Sequence, residues 1–311
     1  MALGAAFDRL GKLAGSFLAV MLFCGTSSAF FAAAPSPNLF HEPWIDGTRA
    51  EEPATQVQSL DRDTFVIRQS VKTNFEAPFL YLIFGHDKAL LVDTGAEGGR
   101  IRPAIDKIMM EWLAARHRTD IPLIVAHSHS HGDHIAGDAA FRDRPNTVVI
   151  GLKPEDVAGF FGIKNWPEDI VSFDLGGRVL SIIPTPGHQK AAIMIYDPRL
   201  KVLLSGDTLY PGRLYVPVNF MAEERASIDR LAAFAAKHPI RAALGAHIEM
   251  TRTPRRDYPH EAATHPNEHR LELPAESIGE LQTGLKADLE TPDRPQVHDS
   301  FIIYPVPPRA E

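Results

Sequence analysis

The sequence predicts an α/β protein of two packed sheets with helices on their outer faces, and three observations carry that expectation. Short β-branched and apolar runs bounded by turns recur along the chain, helical apolar spacing appears between them, and the two halves repeat the same strand-then-helix composition. In order, Thr64–Gln69, Phe79–Phe84 and Ala89–Val92 read as consecutive strands of a meander. Arg100–Arg116 reads as a helix, because Ile101, Ile105, Ile108, Met109 and Leu113 fall near one face and Pro103 is tolerated in a first turn. Ile121–Ala126 is a buried strand that runs straight into a histidine-rich segment. Further strands are expected at Thr147–Ile150, Val179–Ile183, Ala191–Tyr196, Lys201–Leu204 and Arg241–Leu244. A helix fits Ile228–Lys237, capped by Ser227 and stopped by Pro239; another fits Ala275–Leu289, and Phe301–Tyr304 is a closing strand. Thr251–Leu271 has no periodicity, and reads either as a solvated loop or as a lid over a site.

The first 34 residues differ from the rest. Arg9 and Lys12 precede an apolar run from Ala14 to Phe23, followed by small residues that include Ser27, Ala29 and Ala32 to Ala34. That order is expected of a secretory signal peptide, with an uncleaved anchor helix as the alternative. Residues 35–311 are then one domain, with a loop and helix extension from about residue 248, and its location is periplasmic or secreted. Cys24 is the only cysteine and lies in this leader, so an exported body has no thiol for a disulfide or a metal. A formal charge of −7 has the wrong sign for phosphate-backbone binding, so no nucleic-acid partner is expected, and no stable membrane partner is expected unless the leader stays attached; the partner expected, with the resemblance described below, is a small-molecule substrate.

His127-Ser-His-Ser-His-Gly-Asp-His134 contains H-x-H-x-D-H in one register, on His129, His131, Asp133 and His134. Two histidines two apart on extended backbone project the same way and can grip one ion. Asp133 and His134, at the start of the next helix, point at a second. His188, Asp207 and His247 each sit in the turn after an expected strand, with glycine close by. Singly, each has a dull reading as a turn residue or cap; jointly, downstream of the cluster, they read as ligands. His127 is left outside the site, and His41, His86, His117, His238 and His298 read as ordinary histidines. Tyr210, Tyr215 and Phe220 either line a pocket or pack beside it.

These seven residues in this order, together with Leu91-Val-Asp-Thr-Gly95, resemble the metallo-β-lactamase superfamily over roughly Thr64 to His247. The resemblance implies an αββα four-layer sandwich with metals at one edge. It implies two zinc ions per chain, iron or a mixed pair being alternatives: one held by His129, His131 and His188, the other by Asp133, His134 and His247, with Asp207 bridging. Asp93 would orient a ligand. Hydrolysis by a metal-bridging hydroxide follows, on an ester, thioester, lactone or similar bond, with Asp133 orienting that hydroxide or carrying its proton. The seven-residue set is more similar to glyoxalase II and lactonase branches than to β-lactamases, some of which need a cysteine; β-lactamase activity stands as an alternative. So does a mononuclear iron sulfur dioxygenase on His129, His188 and Asp207, and a non-catalytic binding protein is the third reading.

Overall fold

The computed structural model describes residues 38–287 and 294–309. The expected leader, with Cys24, and the last residues of the helix expected to reach Leu289 lie outside the described residues. The first sheet runs in spatial order β1 (Thr55–Asp61), β2 (Thr64–Gln69), β3 (Phe79–Phe84), β4 (Ala89–Val92), β5 (Leu123–Ala126), β6 (Thr147–Val149). Its first four strands are antiparallel neighbours, and β4, β5 and β6 are parallel. Parallel neighbours need a crossover, which α1 (Ile101–Ala114) supplies between β4 and β5, and the short helices α2 (Gly132–Ile135) and α3 (Asp138–Arg142) between β5 and β6.

After α4 (Pro154–Phe161), the second sheet contains β7 (Val171–Asp174), β8 (Val179–Pro184), β9 (Ile193–Asp197) and β10 (Val202–Gly206) as an antiparallel set. A small third sheet begins with β11 (Arg213–Pro217). Helix α5 (Met221–Ala235) then crosses to β12 (Ala242–Gly245), parallel to β10, and β13 (Glu272–Leu273) closes the second sheet's edge. Helix α6 (Glu276–Ala287) is followed by β14 (Gln296–Val297) and β15 (Ile302–Val306), and β15 pairs in parallel with β11.

The period-2 alternation of the strands separates the layers. On β3, Phe79, Tyr81 and Ile83 face the second sheet and join Ile182, Ile193, Ile195 and Leu204 in the central core. Leu80, Leu82 and Phe84 face the other way, onto Ile105, Ile108, Met109 and Trp112 of α1. Met194, Tyr196 and Leu203 pack outward on Ile228 and Leu231 of α5 and on Ile278 and Leu281 of α6. Helix, sheet, sheet, helix is therefore the layer order, the αββα sandwich.

Helix α5 starts two turns before the expected Ile228. Ala222-Glu-Glu-Arg-Ala226 are strong helix formers, and Glu223 suits the positive end of the helix dipole. Ser227 is consequently not a cap; it lies inside the helix and donates its hydroxyl hydrogen to the Pro186 carbonyl at 2.7 Å. Residues 251–271 are tied to the first sheet rather than loose. The Arg68 guanidinium, buried on β2, makes two 2.5 Å hydrogen bonds to Glu268, and within the segment itself the His265 ring stacks on Tyr258 at 4.5 Å. Breaking a buried ion pair strands its surviving charge, so Glu268→Ala is expected to cost about 3–5 kcal/mol of unfolding free energy. Urea denaturation checks this, and a loss below about 1 kcal/mol would show that the pair does not hold the loop.

Candidate metal centre

Every candidate ligand follows the end of a strand, and all lie at one edge of the two sheets. β5 leads into His129 and His131, and α2 carries Asp133 and His134; β8, β10 and β12 lead into His188, Asp207 and His247. The turns are tight enough to demand glycine where backbone meets backbone. Gly206 has φ +52°, and a Cβ there would stand 2.8 Å from the Ser128 Cβ, pressing the Asp207 turn away from the His129 segment.

The seven side chains converge as two groups: His129, His131 and His188, then Asp133, His134, Asp207 and His247, with the ligand atoms of each group within 4.8 Å of one another. Asp207 spans both. Its Oδ2 lies 3.7 Å from His129 Nε2 and 3.6 Å from His188 Nε2, and its Oδ1 lies 3.5 Å from His134 Nε2 and 3.3 Å from His247 Nε2. Asp133 Oδ2 is 3.1 Å from His134 Nε2 and 3.3 Å from His247 Nε2.

The outer ring nitrogens are engaged, which turns the inner ones toward the centre. His188 Nδ1 donates to the Tyr215 carbonyl at 2.5 Å, His247 Nδ1 to the Glu76 carbonyl at 2.7 Å, and His134 Nδ1 to Asp93 Oδ2 at 2.9 Å. Asp93, fixed by the Ser128 N–H at 2.7 Å and the Ser128 hydroxyl at 2.8 Å, thus orients His134. In the first group, burial and the neighbouring His134 push His129 well below the usual imidazole range, and burial and His188 push His131 down to about 3. These rings keep their lone pairs at neutral pH, as cation binding requires. In the second group burial works against charge, but His247 and His134 hold the Asp207 carboxyl well below its ordinary range, and His134 does the same for Asp133.

Residues 74–247 match the sequence profile of the Metallo-beta-lactamase superfamily. The chain belongs to the metallo-β-lactamase superfamily. Among relatives of this superfamily member, a hydroxyacylglutathione hydrolase of Rhizobium meliloti (strain 1021) is 28% identical over 138 residues, covering 43% of this chain and 51% of the relative. One from Brucella anthropi is 33% identical over 91 residues, covering 28% of this chain and 35% of the relative. The chain therefore spans about half, or less, of the length of these curated relatives. A solved metallo-beta-lactamase from Pontibacter korlensis aligns over 75% of this chain and 99% of its own, at 16% identity and a TM-score of 0.48; the layer order above rests on this chain's own sheets and cores.

The residues of this superfamily member suit divalent cations. Asp207 Oδ1 is buried with no hydrogen-bond partner among the described residues, an orphan that a cation between the groups would satisfy. The donor set is imidazole and carboxylate throughout, a chemistry that accommodates zinc and iron alike.

His127 stands apart from both groups, its Nε2 2.8 Å from Asp138 Oδ1, where Thr94 also donates at 2.9 Å. Tyr210 and Tyr215 border the cleft over the site, whose volume is about 520 Å³. Phe220 does not; it lies under the Lys190 ammonium, 5.4 Å from its ring centre. Three contributors escaped the sequence reading. Glu224, buried on the early turns of α5, accepts the His188 N–H at 3.0 Å, and burial pushes its carboxyl up to about 8. Glu76 and Arg309 border the cleft from segments with no motif of their own. A charged residue at a helical core position was the available signal for Glu224; no local signal marks the other two.

Proposed function

We propose that this chain is an exported binuclear zinc hydrolase acting on a thioester, ester or lactone. The single observation behind this reading is Asp207, whose two carboxylate oxygens face different ligand groups, one of them with no other partner. His129, His131 and His188 would hold one ion, Asp133, His134 and His247 the other, and Asp207 would bridge them. Bound zinc supplies Lewis acidity: it lowers the pKa of water toward about 7 and polarises the oxygen of the bond to be cleaved. Asp133 reaches the second group from the open side, its side chain 19% exposed against 9% for Asp207. That position suits it to orient the attacking water and to pass the proton to the leaving group. Asp93 and the carbonyls of Glu76 and Tyr215 keep the imidazoles aimed, so little reorganisation is needed during reaction. The names of the relatives favour a thioester; the N-terminal leader pattern supports a periplasmic or secreted location and argues against a cytoplasmic glutathione conjugate as substrate.

The test is a turnover screen of the zinc-loaded chain against thioesters, lactones, β-lactams, sulfate esters and phosphodiesters. The expected result is thiol or acid release that stops on chelation and returns with zinc. A single bound iron with oxygen consumption, and no hydrolysis, would replace this reading with the dioxygenase.

A further inference from the structure

The cleft has two arginines on its border, and their surroundings differ. Arg213 is neutralised, 3.0 Å from Glu249 and 2.7 Å from Asp257. Among the described residues no carboxylate lies within ion-pair distance of Arg309, although Arg309 borders the same cleft. Its Nη1 reaches within 2.5 Å of His131 Nε2, the ring nitrogen turned away from His129 and His188, while His131 Nδ1 is 2.9 Å from the Nε2 of each. With Nδ1 offered inward as a lone pair, Nε2 carries the ring proton, so a ring N–H and a guanidinium N–H face one point. A protonated Nε2 cannot accept from Arg309, so the guanidinium finds no acceptor in His131 and turns to the cleft for one.

Arg309 is also held in place. β15 pairs with β11 in parallel and carries the chain along the cleft, where the Tyr304 ring packs on Tyr215 at 5.2 Å. Asn219, just beyond β11, then grips the Arg309 backbone from both sides: its Nδ2 donates to the Arg309 carbonyl and its Oδ1 accepts the Arg309 N–H, each at 3.2 Å. An arginine at a cleft whose backbone is clamped, and which has no carboxylate partner among the described residues, suits an anion.

We propose that Arg309 is a specificity-determining residue that binds a carboxylate carried by the substrate, beside the bond to be cleaved, and that Asn219 positions it. The substrate class is then an anionic, carboxylate-bearing thioester or ester. This rests on the hydrolase reading above. The guanidinium fork matches a carboxylate with two parallel hydrogen bonds. A neutral carboxamide in the same place forfeits the charge.

S-acetylthioglycolate and S-acetylthioglycolamide share one scissile thioester and differ only by carboxylate against carboxamide. With the zinc-loaded chain, Arg309→Gln is expected to raise KM for the carboxylate about 10- to 100-fold, leaving the amide's KM within about twofold and kcat for both little changed. Arg309→Lys retains part of the preference, and Asn219→Ala loses part of it. Equal effects on both substrates, or no effect on the carboxylate, would overturn the proposal. Binding of the non-hydrolysable thioether S-propylthioglycolate, followed by ligand-observed NMR, separates the two readings. If neither thioester turns over, the hydrolase reading fails on thioesters. The carboxylate site still stands if the wild-type chain binds the thioether at least about tenfold tighter than Arg309→Gln does, and falls if the two bind alike.

Discussion

Asp207→Asn is expected to lower kcat/KM by roughly 10³-fold or more and to reduce the zinc retained after gel filtration from two ions per chain to one or fewer. Losing a group behind a single ligand already costs about 10–100-fold in metal affinity or activity, and Asp207 lies between both ligand groups. The amide keeps the shape and removes the charge, so the far-UV circular dichroism stays that of the wild type. Retention of two tightly held ions together with wild-type rates would show that Asp207 is a structural residue of the turn after β10.

Asp133→Ala is expected to reduce kcat by roughly 10²–10⁴-fold, the range typical for loss of a positioned proton-transfer group, with a much smaller change in KM. The carboxylate lies near His134 and His247 and away from the His129, His131 and His188 group. That group is therefore expected to keep its ion, and the second to bind more weakly. Metal content measured beside steady-state kinetics separates the two effects: at saturating zinc the occupancy recovers and the kcat deficit persists. Full recovery of kcat with zinc would mean that Asp133 only holds metal, and that the proton passes elsewhere.

Much of this site could be read from residue order. H-x-H-x-D-H fixes four side chains within six positions, because extended backbone and the first turn of a helix aim them with little help from the rest of the chain. His188, Asp207 and His247 were legible for a different reason, since each follows a strand whose apolar run is plain and whose end is marked by glycine. Strands β3 and β4 were legible because continuous burial on both faces leaves little but apolar residues. What escaped depends on long-range contact. Arg309 meets His131 across 178 positions, and Arg68 meets Glu268 across 200, so no local pattern records either pairing. The strand β11 was hidden because its partner β15 comes near the end of the chain. The start of α5 was misread because Ser227, a good cap by residue type, points its hydroxyl at Pro186 from inside the helix.

The most direct measurement of the central claim is a crystal of the zinc-loaded chain with anomalous scattering recorded on both sides of the zinc edge. Two peaks are expected, one among His129, His131 and His188 and one among Asp133, His134 and His247, with the Asp207 carboxylate between them. A single peak, or zinc bound away from these seven residues, would contradict the account.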